Sequence, residues 1–316
     1  MRSDAQLRRR LDARAGIARQ DMAFGLAGMV RPVCRGRRAW IEGTRQSWMD
    51  GWIEIQGPEL DAADLGVLLA LLAIALRQGG DQALGQEVDG LLAAPAGPAR
   101  NAAQNAAGEQ SAITLRTTMA ELCREIDRDP GAGSAHQAIR ASLTRLAGVV
   151  FRAETADGRW AVTHLIAGGA GAGRGAVIVS LSYRLTRALL GQGSYSRIDM
   201  AAWRQLAPVA KCLTHWLACW YGAGSGERRI GLDKLATHVW GEAAHGATGR
   251  RQRQQLRNAL GEIEASGGWI ARECGGVVTI ERTKPVALST QTRRLEYAPT
   301  AGSVQRRGFQ GEAAFL

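Results

Sequence analysis

The sequence predicts an α+β chain, mainly helical with small antiparallel β hairpins, in which one order of elements occurs twice. Each copy has a short helix, a longer helix and two strand-like runs. The longer helices have apolar residues at the same spacing, offset by 117 residues: Ile139, Leu143 and Leu146 in the first copy, and Leu256, Leu260 and Ile263 in the second. At this offset Gln137 falls on Gln254 and Arg140 on Arg257. This self-similarity predicts two domains of the same design.

The composition allows two ordinary domains and points to an acidic partner. The chain has 316 residues, 46% of them hydrophobic, and a formal net charge of +11. Only three of its 40 basic residues are lysines (Lys211, Lys234 and Lys284), which leaves 37 arginines. A GC-rich genome would also favour arginine codons, but it does not explain why arginines gather at particular places. Arginine binds phosphates and guanine edges in a bidentate fashion.

Cysteine usage and hydropathy predict a cytoplasmic protein with no membrane partner. The number of cysteines is odd and none forms a CxxC pair; they are Cys34, Cys123, Cys212, Cys219 and Cys274. Cys212 and Cys219 lie seven residues apart on a helical face that we expect to be buried, and we interpret them as small core residues in a reducing compartment. The longest apolar run, Gly66 to Leu76, is too short to cross a bilayer, and the N-terminus lacks the apolar segment of a signal peptide.

The first part of the chain divides into a basic arm, a strand region and a buried helix. Residues 1–38 hold ten arginines and three aspartates, and they predict either an arm on phosphates or a solvated terminus. Residues 39–57 predict strands, with a turn at Asp50-Gly51. The helix that follows has Asp61 as its N-cap and ends at Gly79-Gly80. Residues 78–112, rich in Ala, Gly and Pro, predict a flexible insert.

The two copies follow in order. MAELCREI and SAHQAIRASLTRLAG predict two helices, and VVFRAE and RWAVTHLIA predict a hairpin around Asp157-Gly158. GGAGAGRG predicts a loop before the strand AVIVSLS. In the second copy, YSRIDM predicts a strand, AAWRQLAPVAKCLTHWLACWYG one long helix and RRIGL a short strand. DKLATHVWG and the stretch from Thr248 then predict the helix pair, and a hairpin ends at Arg282.

A helix pair followed by a hairpin is the pattern of a winged helix, so we predict two tandem winged-helix domains. The predicted boundaries are 1–38 for the basic N-terminal arm, 39–192 for the first domain with its insert at 78–112, 193–288 for the second domain and 289–316 for a tail. When the apolar stripe of each longer helix packs inward, its polar face points outward, where a helix–turn–helix protein contacts the major groove. Arginine suits guanine and glutamine suits adenine there.

The residues predicted to contact double-stranded DNA lie on these helix faces and on the hairpins. In the first copy they are Ser134, His136, Gln137, Arg140, Thr144, Arg152 and Arg159. In the second they are Thr248, Arg250, Arg251, Arg253, Gln254, Arg257, Asn258, Arg272 and Arg282. The alternative is a solvated polar helix face with ordinary surface charge. Because the first helix has fewer arginines, we expect the C-terminal copy to contribute more of the affinity.

Motifs for enzymatic chemistry are not evident in the sequence. GGAGAGRG lacks the Gly-Lys-Ser/Thr ending of a phosphate-binding loop and precedes a strand instead of a helix. The five histidines form no HxxxH or HxH pair, and we find no paired carboxylates with catalytic spacing. We therefore predict a non-enzyme, without metal, cofactor or small-molecule substrate.

Several stretches in order resemble the replication initiator protein C family of broad-host-range IncQ-type plasmids. The resemblance runs from about Trp40 to Pro285, and it rests on QGPELDAADLGVLLALLAIA, GQGSYSRIDMAAWRQL, DKLATHVWGEA, TGRRQRQQLRNALGEIEASGGW and ERTKP. It implies two winged helices that bind directly repeated sites, called iterons, in a plasmid replication origin. It also implies local opening of AT-rich DNA and recruitment of a plasmid-encoded helicase, with a primase as a further partner. The chain departs from the family pattern at the insert and in the extended tail.

Three hypotheses follow from the sequence. The first is an initiator that binds origin repeats through both domains. The second is a winged-helix transcription regulator, which usually has one such domain per chain and dimerises. The third is a DNA nickase or primase, which would need metal ligands or a nucleophile motif that the sequence does not show.

Overall fold

The computed structural model describes residues 4–32, 38–43, 45–48, 51–78, 113–156, 160–172, 175–191, 194–221 and 226–283, together with Gly36 and Gly158. The predicted insert, apart from Gln78, and the predicted tail lie outside the described residues. Arg159, Asp50 and Gly79-Gly80 also lie outside them, as does Cys34.

The described residues form an α+β fold with small, mostly antiparallel sheets. The helices are α1 (Asp4–Arg14), α2 (Met22–Leu26), α3 (Ala62–Arg77), α4 (Met119–Glu125), α5 (Gly133–Ala147), α6 (Tyr183–Leu190), α7 (Met200–Gln205), α8 (Pro208–Trp220), α9 (Leu232–Trp240) and α10 (Gly246–Ala265). The strands are β1 (Ile17–Asp21), β2 (Val30–Arg31), β3 (Trp40–Ile41), β4 (Gln46–Trp48), β5 (Gly51–Pro58), β6 (Leu60–Asp61), β7 (Thr114–Thr118), β8 (Val150–Thr155), β9 (Trp160–His164), β10 (Ile166–Ala172), β11 (Ala176–Leu181), β12 (Tyr195–Asp199), β13 (Arg228–Gly231), β14 (Trp269–Cys274) and β15 (Val277–Arg282).

Helix α3 is apolar around its whole circumference and lies at the centre of the core. It begins with a capping box, in which Asp61 Oδ1 accepts hydrogen bonds from two backbone N–H groups while Asp64 Oδ2 accepts one from the Asp61 N–H. Every residue from Asp64 to Leu76 is buried. Such a helix needs neighbours on all sides, and α3 packs against α1, β1, α4, α5 and α8.

The buried carboxylate of Asp64 ties α3 to α5. It accepts a hydrogen bond of 2.6 Å from Ser142 Oγ, and Arg145 donates to both of its oxygens from Nε at 3.1 and 3.0 Å and from Nη2 at 2.6 Å. Its side chain is fully buried, whereas that of Arg145 is 24% exposed. A buried charge is tolerated only when it is paired and hydrogen-bonded, so this network fixes how α5 sits on the central helix.

The two halves of the chain share one core. Strand β1 pairs antiparallel with β12, with Ile17 opposite Asp199, and this pairing joins the N-terminal segment to the second half. Helix α8 contacts α2 and α3 as well as α9 and α10. Gly66 in α3 allows the Trp203 ring of α7 to approach, since a Cβ atom there would lie 3.1 Å from Trp203 Cη2.

The order helix, strand, helix, helix, strand, strand occurs twice. The first series is α3, β7, α4, α5, β8 and β9, and the second is α8, β13, α9, α10, β14 and β15. The sheets differ, however. In the second series β13 joins the hairpin in the order β13-β15-β14. In the first, β7 pairs with β11 in the order β10-β11-β7, and the hairpin is extended by β5 in the order β3-β5-β8-β9, with β4 also on β5. The only parallel pairing among the described strands is the two-residue pair of β2 and β6.

Two predictions from the sequence are wrong. Residues 168–172 of the predicted glycine-rich loop lie in β10, where backbone pairing with β11 needs no large side chains. The predicted single long helix is two helices, because Leu206 is extended and Pro208 occupies the first turn of α8.

The segment predicted as a basic arm contains α1, β1 and α2. Arg19 in this segment is buried against Asp12 at 2.8 Å. Part of the segment therefore packs on the core.

We expect Asp64→Asn to lower the free energy of unfolding by about 2–3 kcal/mol, because Arg145 would lose its counterion in a mostly buried position. Urea unfolding followed by circular dichroism measures the change. Glu264→Gln is the matched control, since Glu264 is exposed on α10 and should leave the unfolding midpoint unchanged. Equal midpoints for Asp64→Asn and the control would contradict the anchoring role.

Candidate nucleic-acid interface

Helices α5 and α10 are each oriented by one apolar stripe. Ile139 and Leu146 of α5 are buried and Leu143 is half-buried against the core. On α10, Leu256, Leu260 and Ile263 are all buried. The predicted inward faces of both helices are therefore confirmed.

The opposite faces carry the predicted polar residues, and these are exposed. On α5 the exposed residues are Ser134, Gln137, Arg140 and Thr144. On α10 they are Thr248, Arg250, Arg251, Gln254, Arg257 and Asn258, with Arg253 half-exposed. Gln254 Nε2 donates to Asn258 Oδ1 at 3.0 Å, which aligns these two amides along one side of the helix. Their contact with DNA stays a prediction, but their orientation permits it.

The N-termini of α5 and α10 have neither a side-chain cap nor an acidic residue in the first turn. Helix α8 shares this property, and α9 also has no side-chain cap. By contrast, Asp61, Thr118 and Asp199 cap α3, α4 and α7. Free N–H groups and the positive end of the helix dipole favour anions. Together with Arg250 and Arg251, the start of α10 is suited to a phosphate group.

Two arginines of α10 are held by carboxylates from neighbouring elements. Arg257 donates from Nε to Glu273 Oε2 at 2.7 Å and from Nη2 to Oε1 at 2.9 Å. Arg253 donates in the same way to Asp233 of α9, at 2.7 and 3.0 Å. Hydrogen bonds from these arginines lower the pKa of Glu273 and of Asp233, so both carboxylates are charged at neutral pH. Neither acid was predicted from the sequence to belong to the DNA-binding surface.

The second hairpin turns at Gly275-Gly276, and this turn fixes its register. Both glycines have positive φ, 59° and 79°, as a two-residue type I′ turn requires. Glu273 is thus opposite Val278, on the side of the hairpin that carries the buried Val278 and Ile280. Arg272 is opposite Thr279 on the other side and is exposed.

Arg282, a predicted DNA contact on the second hairpin, lies away from the hairpin tip. It is opposite Trp269 at the base of the hairpin, with its guanidinium 5.1 Å from the Trp269 ring centroid. Its Nη2 donates to the Arg197 carbonyl at 2.9 Å, and burial lowers its pKa. Arg282 therefore packs between the hairpin and β12.

In the first copy, several predicted contacts have internal partners. His136 Nε2 lies 2.9 Å from the Pro130 carbonyl, so its ring closes the turn before α5. Thr144 Oγ1 donates to the Arg140 carbonyl at 3.1 Å. Arg152 is in β8, away from the hairpin tip, and lies over the Trp52 ring at 5.7 Å.

The outer face of the first sheet is aromatic, a feature that was not predicted from the sequence. Trp52 of β5 lies under Arg45 at 4.0 Å as well as under Arg152. Trp160 of β9 and Trp40 of β3 are 70% and 58% exposed. The alternation of Trp52 with the buried Ile53 and Ile55 was the available signal.

Within the described ranges, no three His, Cys, Asp or Glu side chains are grouped so that they could hold a metal ion. The same residues include no helix that is long and apolar enough to span a membrane. His215 and Cys219 of α8 are buried, and burial lowers the pKa of His215 to about 3 and raises that of Cys219 to about 12. They pack uncharged in the core.

Two crystal structures of domains 2 and 3 of RctB are similar in fold. The selenomethionine derivative has a TM-score of 0.52 and 11% identity, covering 81% of this chain and 99% of the other. The second has a TM-score of 0.51 and 13% identity, covering 83% and 97%. A search of curated protein sequences finds no match.

The model of one protein family, Replication protein C (RepC), matches residues 18–284. This range includes every described element from β1 to β15 except the first residue of β1. The chain belongs to the Replication protein C (RepC) family.

Proposed function

We propose that this protein is a plasmid replication initiator that binds directly repeated sites in a replication origin through two winged helices. The observation that carries the proposal is that α5 and α10 each bury one apolar stripe and expose arginine and glutamine on the opposite side. Each is the second helix of a pair and is followed by a hairpin, as in winged helices that insert this helix into the major groove.

The chemistry of α10 suits both parts of a DNA site. Arg250 and Arg251 lie in the second turn, next to the uncapped N-terminus, where phosphate oxygens would be bound. One and two turns further on, Gln254 and Arg257 project from the exposed face toward base edges. Phosphate contacts would thus set the position of the helix, and the later residues would read the sequence.

Helix α5 would bind the same DNA less strongly. Its exposed face has Gln137 and Arg140 in place of the longer arginine series of α10. Each phosphate that is neutralised adds to affinity through release of counterions. We therefore expect the C-terminal winged helix to supply most of the affinity and the N-terminal one to extend the site.

The shared core would hold the two winged helices at a fixed spacing. The pairing of β1 with β12, and the packing of α8 on elements of both halves, resist independent movement of the two units. Two major grooves on one face of B-DNA are about one helical turn apart. A rigid tandem protein would recognise an asymmetric site whose two parts have this spacing.

Initiation would continue with opening of AT-rich DNA and recruitment of a plasmid-encoded helicase, with a primase acting afterwards. Membership of the Replication protein C family supports these steps. We propose no catalytic step by this chain. Replication of a plasmid that carries the origin, with and without the protein, tests the role of initiator as opposed to that of a transcription regulator.

We expect Arg257→Ala to lower the ratio of specific to non-specific DNA affinity by about 5- to 150-fold, the value of one bidentate contact with a base. Fluorescence anisotropy with an origin repeat and an unrelated duplex measures both affinities. Arg229→Ala is the control, because it removes one exposed arginine from β13 and not from α10. An unchanged ratio in Arg257→Ala would rule out base recognition by this residue.

We expect hydroxyl-radical footprinting to show protection over about two helical turns of a directly repeated, asymmetric sequence, because both winged helices belong to one chain. The two protected regions should be equally occupied at all protein concentrations. Protection of one short palindrome by a dimer would contradict the tandem arrangement and favour a transcription regulator.

A further inference from the structure

Glu273 and Asp233 hold two arginines of α10 from outside the helix. Each carboxylate binds the Nε and Nη2 side of one guanidinium with two hydrogen bonds, all between 2.7 and 3.0 Å. Glu273 reaches Arg257 from β14, and Asp233 reaches Arg253 from the first turn of α9. The planes of both guanidinium groups are thus set by neighbouring elements.

This geometry leaves the other edge of each guanidinium available. A guanidinium has five N–H donors, and the carboxylate takes one on Nε and one on Nη2. Two donors on Nη1 and one on Nη2 remain, and a parallel pair of these matches O6 and N7 of guanine. An arginine that is already oriented loses less rotational freedom when it binds.

Stability does not account for these two carboxylates. Side chains of both pairs are partly exposed, from 23% for Glu273 to 60% for Asp233, and exposed ion pairs add little to stability. The acids also place negative charge beside a surface that would approach phosphates, which weakens binding to DNA of any sequence. A surface built only for electrostatic attraction would omit them.

The other exposed arginines of the two helices differ in this respect. Among the described residues, no carboxylate forms an ion pair with Arg140, Arg250 or Arg251. Arg250 and Arg251 lie in the second turn of α10, closer to its N-terminus, where phosphates would be bound and no fixed plane is needed. The carboxylate partners therefore coincide with Arg253 and Arg257, further along the base-facing part of α10.

We propose that Glu273 and Asp233 are specificity-determining residues, which orient Arg257 and Arg253 toward guanine and penalise binding to non-cognate DNA. This inference rests on the proposed function, since it requires α10 to lie in a major groove.

The test compares the affinities of Glu273→Gln for two duplexes of about 30 base pairs, long enough for both winged helices. One is the duplex that the wild-type chain selects from a random library, and the other is an unrelated sequence. Glu281→Gln is the matched control. Glu281 is opposite Ile270 on the other side of the same hairpin, and its substitution removes the same charge. The single variant Arg257→Ala, and the double variant that combines Arg257→Ala with Glu273→Gln, complete a double-mutant cycle.

We expect Glu273→Gln to bind the unrelated duplex more tightly and the selected duplex more weakly, so that the specificity ratio falls about fivefold or more. Asp233→Asn should behave in the same way through Arg253. Glu281→Gln should strengthen both complexes in parallel and keep the ratio. In the Arg257→Ala background, Glu273→Gln should not lower the ratio further, because its effect acts through Arg257.

Two results would overturn the inference, and they are distinguishable. If Arg257→Ala lowers the ratio but Glu273→Gln behaves like Glu281→Gln, the carboxylate only repels DNA and the proposed function survives. If Arg257→Ala itself keeps the ratio, Arg257 does not read bases, and the proposed role of α10 fails together with the inference. Thermal unfolding of each variant verifies that the fold is intact.

Discussion

The rotation of two helices about their own axes is the constraint on which this structure depends. Each of α5 and α10 has one apolar stripe, which burial fixes against the core. Leu256 and Ile263 set the rotation of α10, and Ile139 and Leu146 set that of α5. Once these side chains are inside, Arg140 and Arg257 have to face solvent. The residues that pack in the core thereby orient the candidate DNA surface, although no single residue both packs in the core and belongs to that surface.

The two copies share this constraint but have different surroundings. Helix α5 is bound through Ser142 and Arg145 to the buried Asp64 of α3. The hairpin that follows α5 is part of a larger sheet, whose outer face is aromatic. Helix α10 has a compact three-stranded sheet beside it, whose hairpin supplies Glu273. The first copy thus has a buried ion pair that ties it to the central helix, and the second has the more elaborate charged surface. This division agrees with a C-terminal unit that reads sequence and an N-terminal unit that extends the site.

The sequence predicts those features that depend on local periodicity. The inward and outward faces of α5 and α10 follow from a spacing of three and four residues, and both are confirmed. Features that depend on distant partners were missed. The local sequence does not show that β1 pairs with β12 or that Arg19 is buried. The helix break before Pro208 was not predicted, because it lies within a run of apolar residues. The pairing of Arg257 with Glu273 requires the hairpin register, which Gly275 and Gly276 determine only once the strands are paired. The sequence places Arg282 at the end of the hairpin, but its contact with the Arg197 carbonyl of β12 depends on a partner that is distant in the sequence.

The central claim is that two outward helix faces of one chain lie in successive major grooves. Replacing guanine by 7-deazaguanine, one position at a time along a bound repeat, removes the N7 acceptor and tests this claim directly. We predict two clusters of sensitive positions about one helical turn apart. In the Arg257→Ala variant, we expect sensitivity to be lost in only one of these clusters. A single sensitive cluster, or sensitivity that Arg257→Ala leaves intact in both clusters, would contradict this claim.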